Sequence, residues 1–142
     1  LVEIPSDELA KQKQNAYLLQ NTFEKVTVIR FNETGKKERF LEDISWAISR
    51  ERLPAKLSTY QDSWDLLSQI KKADTKLFIL SRDALFASKN LLVHFKELPE
   101  QNQTFLADIP LIVLSDLSSY FQNPSKKKEL WNAIKKQLQG LV

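Results

Sequence analysis

Three apolar runs, KVTVIRF (25–31), TKLFILS (75–81) and DIPLIVLSD (108–116), are separated by amphipathic segments of helical length. This alternation restricts the fold more than any other feature. The first run is rich in β-branched residues and bounded by Asn32 and Gly35, which reads as a strand. The last is continuously apolar, as expected of a strand covered on both faces of a parallel sheet. Between the first two runs, Phe40, Leu41, Ile44, Ala47 and Ile48 fall on one face of a helix. That helix must stop at Leu53-Pro54, because the residue before a proline is pushed out of helical geometry.

AKLSTY (55–60) reads as a further short strand, and Asp62 and Asp65 frame the start of a helix that continues through Trp64, Leu67 and Ile70 to Ala73. A third helix is expected from Ser88, carrying Leu91, Leu92, Phe95 and Leu98 and kinked at Pro99. Asn123-Pro124 offers a cap with proline at the first helical position, and Leu130, Trp131, Ile134 and Leu138 form the buried stripe of the last helix. Upstream, SDELAKQKQNAYLLQNTF (6–23) reads as a polar helix with Leu9, Ala16, Tyr17 and Phe23 on a weak apolar face.

Strands alternating with helices specify βαβ units with right-handed crossovers. We therefore expect an α/β three-layer flavodoxin-like sandwich with a mostly parallel sheet of three to five strands over 25–142. Residues 1–24 would form an N-terminal helical extension. In such sheets ligands bind beyond the carboxyl ends of the strands. Here those ends carry Asn32 and Glu33, Tyr60 to Asp62, Ser81 to Asp83, and Ser115 and Asp116.

Composition removes several chemistries. The two glycines, Gly35 and Gly140, are too few and too far apart for a glycine-rich phosphate loop. Cysteine is missing, which excludes disulfides and thiol nucleophiles, and His94 is the only histidine, so no metal site is expected. A formal charge of +3 does not by itself argue for nucleic acid, which is not expected as a partner. No apolar run has the roughly 20 residues of a membrane span. The start lacks the order of a signal peptide and opens on Leu1, so a trimmed, cytoplasmic chain without a membrane partner is the expectation.

The centre of the chain, with Ile70, Ala73, Asp74, the strand Leu77 to Ser81, and Ser88, resembles Toll/interleukin-1 receptor (TIR) domains. The segments DSW (62–64), FLEDISWAI (40–48) and IPLIVLSD (109–116) fall where that family has similar ones. The resemblance implies a parallel α/β fold and a role in signalling or defence. In members that cleave NAD, it also implies a glutamate in the helix after the second serine. That position holds His94 here, and the nearest acid is Glu97. On a continuous helix the two would share a face, so an NAD-cleaving enzyme would use Glu97 beside Ser81, with NAD bound. The interval from Leu57 to Asp62 is shorter than the loop such domains use for nucleotide and partner contacts.

YFQNPSKKKELWNAIKKQL (120–138) is similar to the final strand and helix of response-regulator receiver domains. Against their acidic cluster and phosphate acceptor, this chain has Asn32-Glu33, Ser81, Ser115 and Asn123, a set without phosphotransfer capacity. NPSKKKELWNAI also resembles the C-terminal helix of the psi accessory subunit of bacterial DNA polymerase III, which implies membership of a nucleic-acid-processing complex.

Each candidate also has a plainer role. His94 can be a boundary histidine with one hydrogen bond rather than a pH-sensitive group, and Glu97 a solvated charge beside Lys96 rather than a general acid. Ser81 and Ser115, which could hydrogen-bond a ligand, can instead cap the following helices, while Asp83 and Asp116 stand as strand-end candidates. The lysines Lys126, Lys127, Lys128, Lys135 and Lys136 form either a solvated face or a surface for acidic groups. Trp46 lies off the apolar stripe of its helix, so it is either exposed, which would mark a contact surface, or placed under the N-terminal helix. The expected function is a non-catalytic protein-interaction module that associates with itself or a partner without a cofactor. Trp46, Lys126, Lys127 and Lys128 are its contact residues, and an NAD-cleaving hydrolase is the alternative.

Overall fold

A computed structural model describes residues 23–51 and 53–141. The helix expected over 6–23 and the extension over 1–24 therefore lie outside the described residues, apart from their last positions. Phe23 is in no regular element; it is buried and meets Trp64 and Phe78 edge-on, with ring centroids 4.9 and 5.4 Å away.

The chain is α/β, and among the described residues its sheet has six strands in the order β2-β1-β3-β6-β5-β4. The strands are β1 (Val26–Arg30), β2 (Ala55–Thr59), β3 (Leu77–Ser81), β4 (Phe95–Leu98), β5 (Gln103–Leu106) and β6 (Ile109–Leu114). The helices are α1 (Lys36–Glu51), α2 (Leu66–Ala73), α3 (Arg82–Ala87), α4 (Lys89–Val93), α5 (Leu117–Gln122) and α6 (Pro124–Leu141). Strands β2, β1, β3 and β6 are mutually parallel, with Val28 level with Leu57 and Ile79, and Ile79 level with Ile112. The order and helical crossovers are those of a flavodoxin-like sandwich, extended at one edge by the antiparallel pair β5 and β4.

Side chains alternate across the sheet because the strand period is two. Val26, Val28, Leu77, Ile79 and Leu114 pack under α1, α5 and α6, against Leu41, Ile44, Ile48, Leu117, Tyr120, Ile134 and Leu138. Ile29, Phe78, Leu80 and Leu111 face the other way, against Leu66, Ala84, Leu85 and Leu91 of α2, α3 and α4. Of the stripe expected on α6, Ile134 and Leu138 are buried, while Leu130 and Trp131 are half-buried beside them.

The sheet exceeds the expected three to five strands because the helix from Ser88 ends early. Ser88 accepts from the Leu91 amide as N-cap of α4, but the helix stops at Val93. A continuation would place Pro99 one turn beyond Phe95, where proline has no N–H to give the Phe95 carbonyl and its ring clashes there. Leu98, preceding the proline, is held extended at φ −115° and ψ 87°. Phe95 to Leu98 therefore forms β4, and the apolar spacing of Leu91, Leu92, Phe95 and Leu98 imitates a helix without making one.

Strand β5 turns into β6 through Ala107 and Asp108, at φ 51° and 66°, between the paired residues Leu106 and Ile109. Positive φ at both central positions is the mark of a type I′ hairpin turn. Tyr120 to Gln122, the start of the expected terminal strand, lies instead in α5. Asp116 caps that helix by accepting from the Ser118 amide at 3.2 Å, and the Tyr120 hydroxyl accepts from the Ser115 amide at 3.1 Å.

Candidate functional site

The chain order reverses between β1 and β3, whose neighbours lie on opposite sides, and the crevice beyond their carboxyl ends is where a doubly wound sheet offers a pocket. A cleft of about 560 Å³ lies there. Asn32, Glu33, Ser81 and Asp83, all read from the sequence as strand-end candidates, line it.

Glu33 forms the floor and is 8% exposed, although it is a carboxylate. It is accommodated because both oxygens are engaged. Oε2 accepts from the Phe31 amide at 2.7 Å, and Oε1 accepts from the Ser81 hydroxyl at 3.0 Å. Arg30 fixes the same turn, its Nε donating to the Glu33 carbonyl at 2.7 Å while pairing with Glu38 at 3.5 Å. The Ser81 hydroxyl oxygen in turn accepts from the Ala84 amide at 3.1 Å as N-cap of α3. Charge and hydroxyl are thus committed to holding the ends of β1 and β3 together. A nucleophilic serine needs a free base to take its proton, and Glu33 holds Ser81 while Ser81 is 3% exposed.

Lys36, Lys37, Ser118 and Phe121 also line the cleft, and sequence reasoning missed them. The lysines open α1 directly after the first strand loop, a position that could have drawn attention. The approach of α5 to α1 that brings Phe121 is a tertiary result. Lys127 from α6 is outside the cleft lining but lies near Phe121, with its Nζ 5.9 Å from that ring centroid and 5.8 Å from that of Phe40. Lys126 instead donates to Ser119 Oγ at 2.7 Å and lies over the Tyr120 ring, and Lys128 is exposed.

Ser115 and Asp116 stay outside the cleft lining, because they hold Tyr120 and cap α5. Glu97 is the largest departure. It is exposed on edge strand β4, level with Thr104, Leu111 and Phe78 in the sheet rows. Three strand spacings and three residues separate it from Ser81, about 14 Å across the sheet and about 10 Å along it. The shared helical face of His94 and Glu97 does not exist, since His94 is the C-cap of α4 and Glu97 is on a strand. The residues present therefore do not fit NAD cleavage by Glu97 and Ser81.

His94 is half-buried beside a second cavity of about 290 Å³, with Tyr60, Trp64 and Asn90. Tyr60 accepts there from the Ser88 hydroxyl at 3.0 Å. Among the described residues, no group of three or more acidic or histidine side chains is placed to hold a metal ion. Nor is any helix among them long and apolar enough to cross a membrane.

Trp46 is 67% exposed on the outer face of α1. It borders a shallow groove of about 260 Å³ with Ser45, Ser49 and the edge strand β2. Among the described residues, two titratable groups depart from their ordinary range. Asp74 is held below the usual carboxylate range by the hydrogen bond and charge of Lys76, with a smaller contribution from Lys25. Burial lowers the Lys56 ammonium, partly opposed by Glu24.

Comparison of the chain with protein-family models, with curated proteins and with solved structures finds no match in any of the three.

Proposed function

We propose that this chain is a non-catalytic protein-interaction module of cytoplasmic signalling or defence, working through the outer face of α1. The carrying observation is Trp46, a large aromatic 67% exposed in the middle of a sixteen-residue helix. Exposed tryptophan on a rigid element is the residue type that dominates contact energetics once covered. The strand ends support the same reading, because Glu33 and Ser81 spend their polar groups on each other and on backbone amides. Light scattering over a concentration series tests it. Mass should rise with concentration and the rise should vanish in Trp46→Ala. An unchanged rise in that variant would remove Trp46 from the role.

The cleft favours a second reading, capture of a small phosphate-bearing ligand such as NAD without cleaving it. Lys36 and Lys37 would meet the phosphates and Phe121 an aromatic ring. Titration with NAD, followed by tests for free nicotinamide, should give binding that Lys36→Ala weakens, with no nicotinamide released. Nicotinamide release would show instead that the site is catalytic.

A further inference from the structure

We propose that the cleft beyond β1 and β3 binds a nucleoside monophosphate, with Lys36 and Lys37 on its phosphate, Phe121 against its base and Asp83 on its sugar hydroxyls. This rests on the phosphate-capture reading of the cleft and narrows its ligand. The walls of the cleft come from three helices with three different chemistries. Lys36 and Lys37 stand on the α1 side. Leu117 and Phe121 of α5 give an apolar side, and the Phe121 ring meets Phe40 edge-on, with centroids 5.6 Å apart. Asp83 of α3 lies across the sheet from both, because α3 packs on the opposite layer. The floor is already committed, since the Ser81 hydroxyl is spent on Glu33. A carboxylate accepts from hydroxyls and repels phosphate. The anionic end of a ligand therefore faces the lysines, away from Glu33, and its hydroxyl-bearing part faces Asp83.

The lysines themselves point to an anion. Both are exposed, and among the described residues neither is in an ion pair. They occupy the first two positions of a sixteen-residue helix, where the backbone already presents partial positive charge and added cations are unfavourable. Glu38 is the acid of that first turn, and it is paired with Arg30 at 3.5 Å. Two ammonium groups thus stand against the helix dipole with no partner among the described residues. Local rules are broken in this way at sites that serve a ligand. A phosphate between the lysines would relieve both charges at once.

Size narrows the class further. Liquid water takes about 30 Å³ per molecule, and packed interiors are denser than liquids. The cleft, at about 560 Å³, therefore holds roughly 20 to 25 heavy atoms. A nucleoside monophosphate has about that number. Inorganic phosphate would leave most of the cleft empty, and a dinucleotide would leave half of itself outside. A sugar phosphate without a base would leave Leu117 and Phe121 uncovered. Stacking on an aromatic side chain accepts any base, since every base has a π-face.

Isothermal titration of the full chain at low ionic strength tests this, with circular dichroism confirming that each variant is folded. The probes are AMP, GMP, CMP and UMP, the matching nucleosides, the deoxyribose forms, inorganic phosphate and NAD. At least one monophosphate should bind with a dissociation constant below about 1 mM. It should bind at least about tenfold more tightly than its nucleoside or inorganic phosphate, and more tightly than NAD. Phe121→Ala should weaken it at least about fivefold, and Lys36→Ala combined with Lys37→Ala about tenfold. The ribose form should be preferred over the deoxyribose form, and Asp83→Ala should erase that preference. Without ligand, the double lysine variant should unfold at a urea midpoint no lower than wild type, because the lysines oppose the helix dipole. A monophosphate that binds no better than its nucleoside, or a double variant that loses stability, would overturn the placing of the phosphate. Phosphate or NAD bound as tightly as every monophosphate would overturn the mononucleotide while leaving phosphate capture standing. A chain that binds none of these compounds would overturn both.

Discussion

The Ser81 hydroxyl donates to the Glu33 carboxylate over 3.0 Å, tying the carboxyl end of β1 to that of β3 at the point where the sheet reverses its chain order. The same oxygen caps α3. One side chain thus closes the strand pair, satisfies a buried charge and starts a helix. Ser81→Ala should therefore cost about 2–4 kcal/mol, the sum of a lost cap and an unsatisfied buried acceptor. Asp116→Ala removes only an exposed cap and should cost about 1 kcal/mol. Urea unfolding of both variants checks the order; equal losses would mean that the Glu33 contact adds nothing.

Ala107 holds φ at 51° in the turn between β5 and β6, a conformation that costs an L-residue with a Cβ about 1–2 kcal/mol. Ala107→Gly should raise stability by about 1 kcal/mol, and Ala107→Val should lower it. The glycine keeps the amide that donates to the His94 carbonyl at 2.8 Å, so β4 stays anchored. Thermal unfolding reads both changes.

Asp74 sits 2.9 Å from Lys76 and 3.5 Å from Lys25, and its carboxyl is held below the usual range. A depressed carboxylate contributes stability that is fully present above its unfolded pKa and is lost as pH falls through the folded value. The loss therefore belongs below about pH 4. Asp74→Asn, which tolerates the left-handed backbone at this helix end, should flatten the acid limb of the stability curve and leave it unchanged in shape near neutrality. The pair is solvent-exposed, so added salt should shrink the effect.

Glu97→Gln should leave stability within about 0.5 kcal/mol of wild type, because the side chain is exposed on an edge strand. Neither protein should release nicotinamide from NAD. Release that disappears with Glu97→Gln would mean that β4 can reach the cleft, contrary to the sheet register.

The parallel core was legible because burial on both faces leaves runs such as Leu77 to Leu80 and Leu111 to Leu114 almost wholly apolar. The strand-end rule then found Asn32, Glu33, Ser81 and Asp83 of the cleft. It missed Lys36, Lys37 and Phe121, whose convergence depends on where α5 meets α1. It overreached at Ser115 and Asp116, which the turn into α5 had already engaged. Strand β4 was hidden by apolar residues at helical spacing. Pro99 was the deciding residue, and its steric reach back to Phe95 outweighs that periodicity. Trp46 was legible for the opposite reason, being out of step with the buried stripe Leu41, Ile44 and Ile48.

Because the sequence has no cysteine, Ser49→Cys gives a single attachment point for a nitroxide on the exposed face of α1, three residues from Trp46. Pulsed electron resonance between labelled chains measures the α1 contact most directly. Helices packed about 8–10 Å apart through this face should give one narrow distance below about 25 Å, lost on adding Trp46→Ala. A distribution centred beyond about 40 Å, or a short distance that survives Trp46→Ala, would contradict the assignment of this face as the working surface of the molecule.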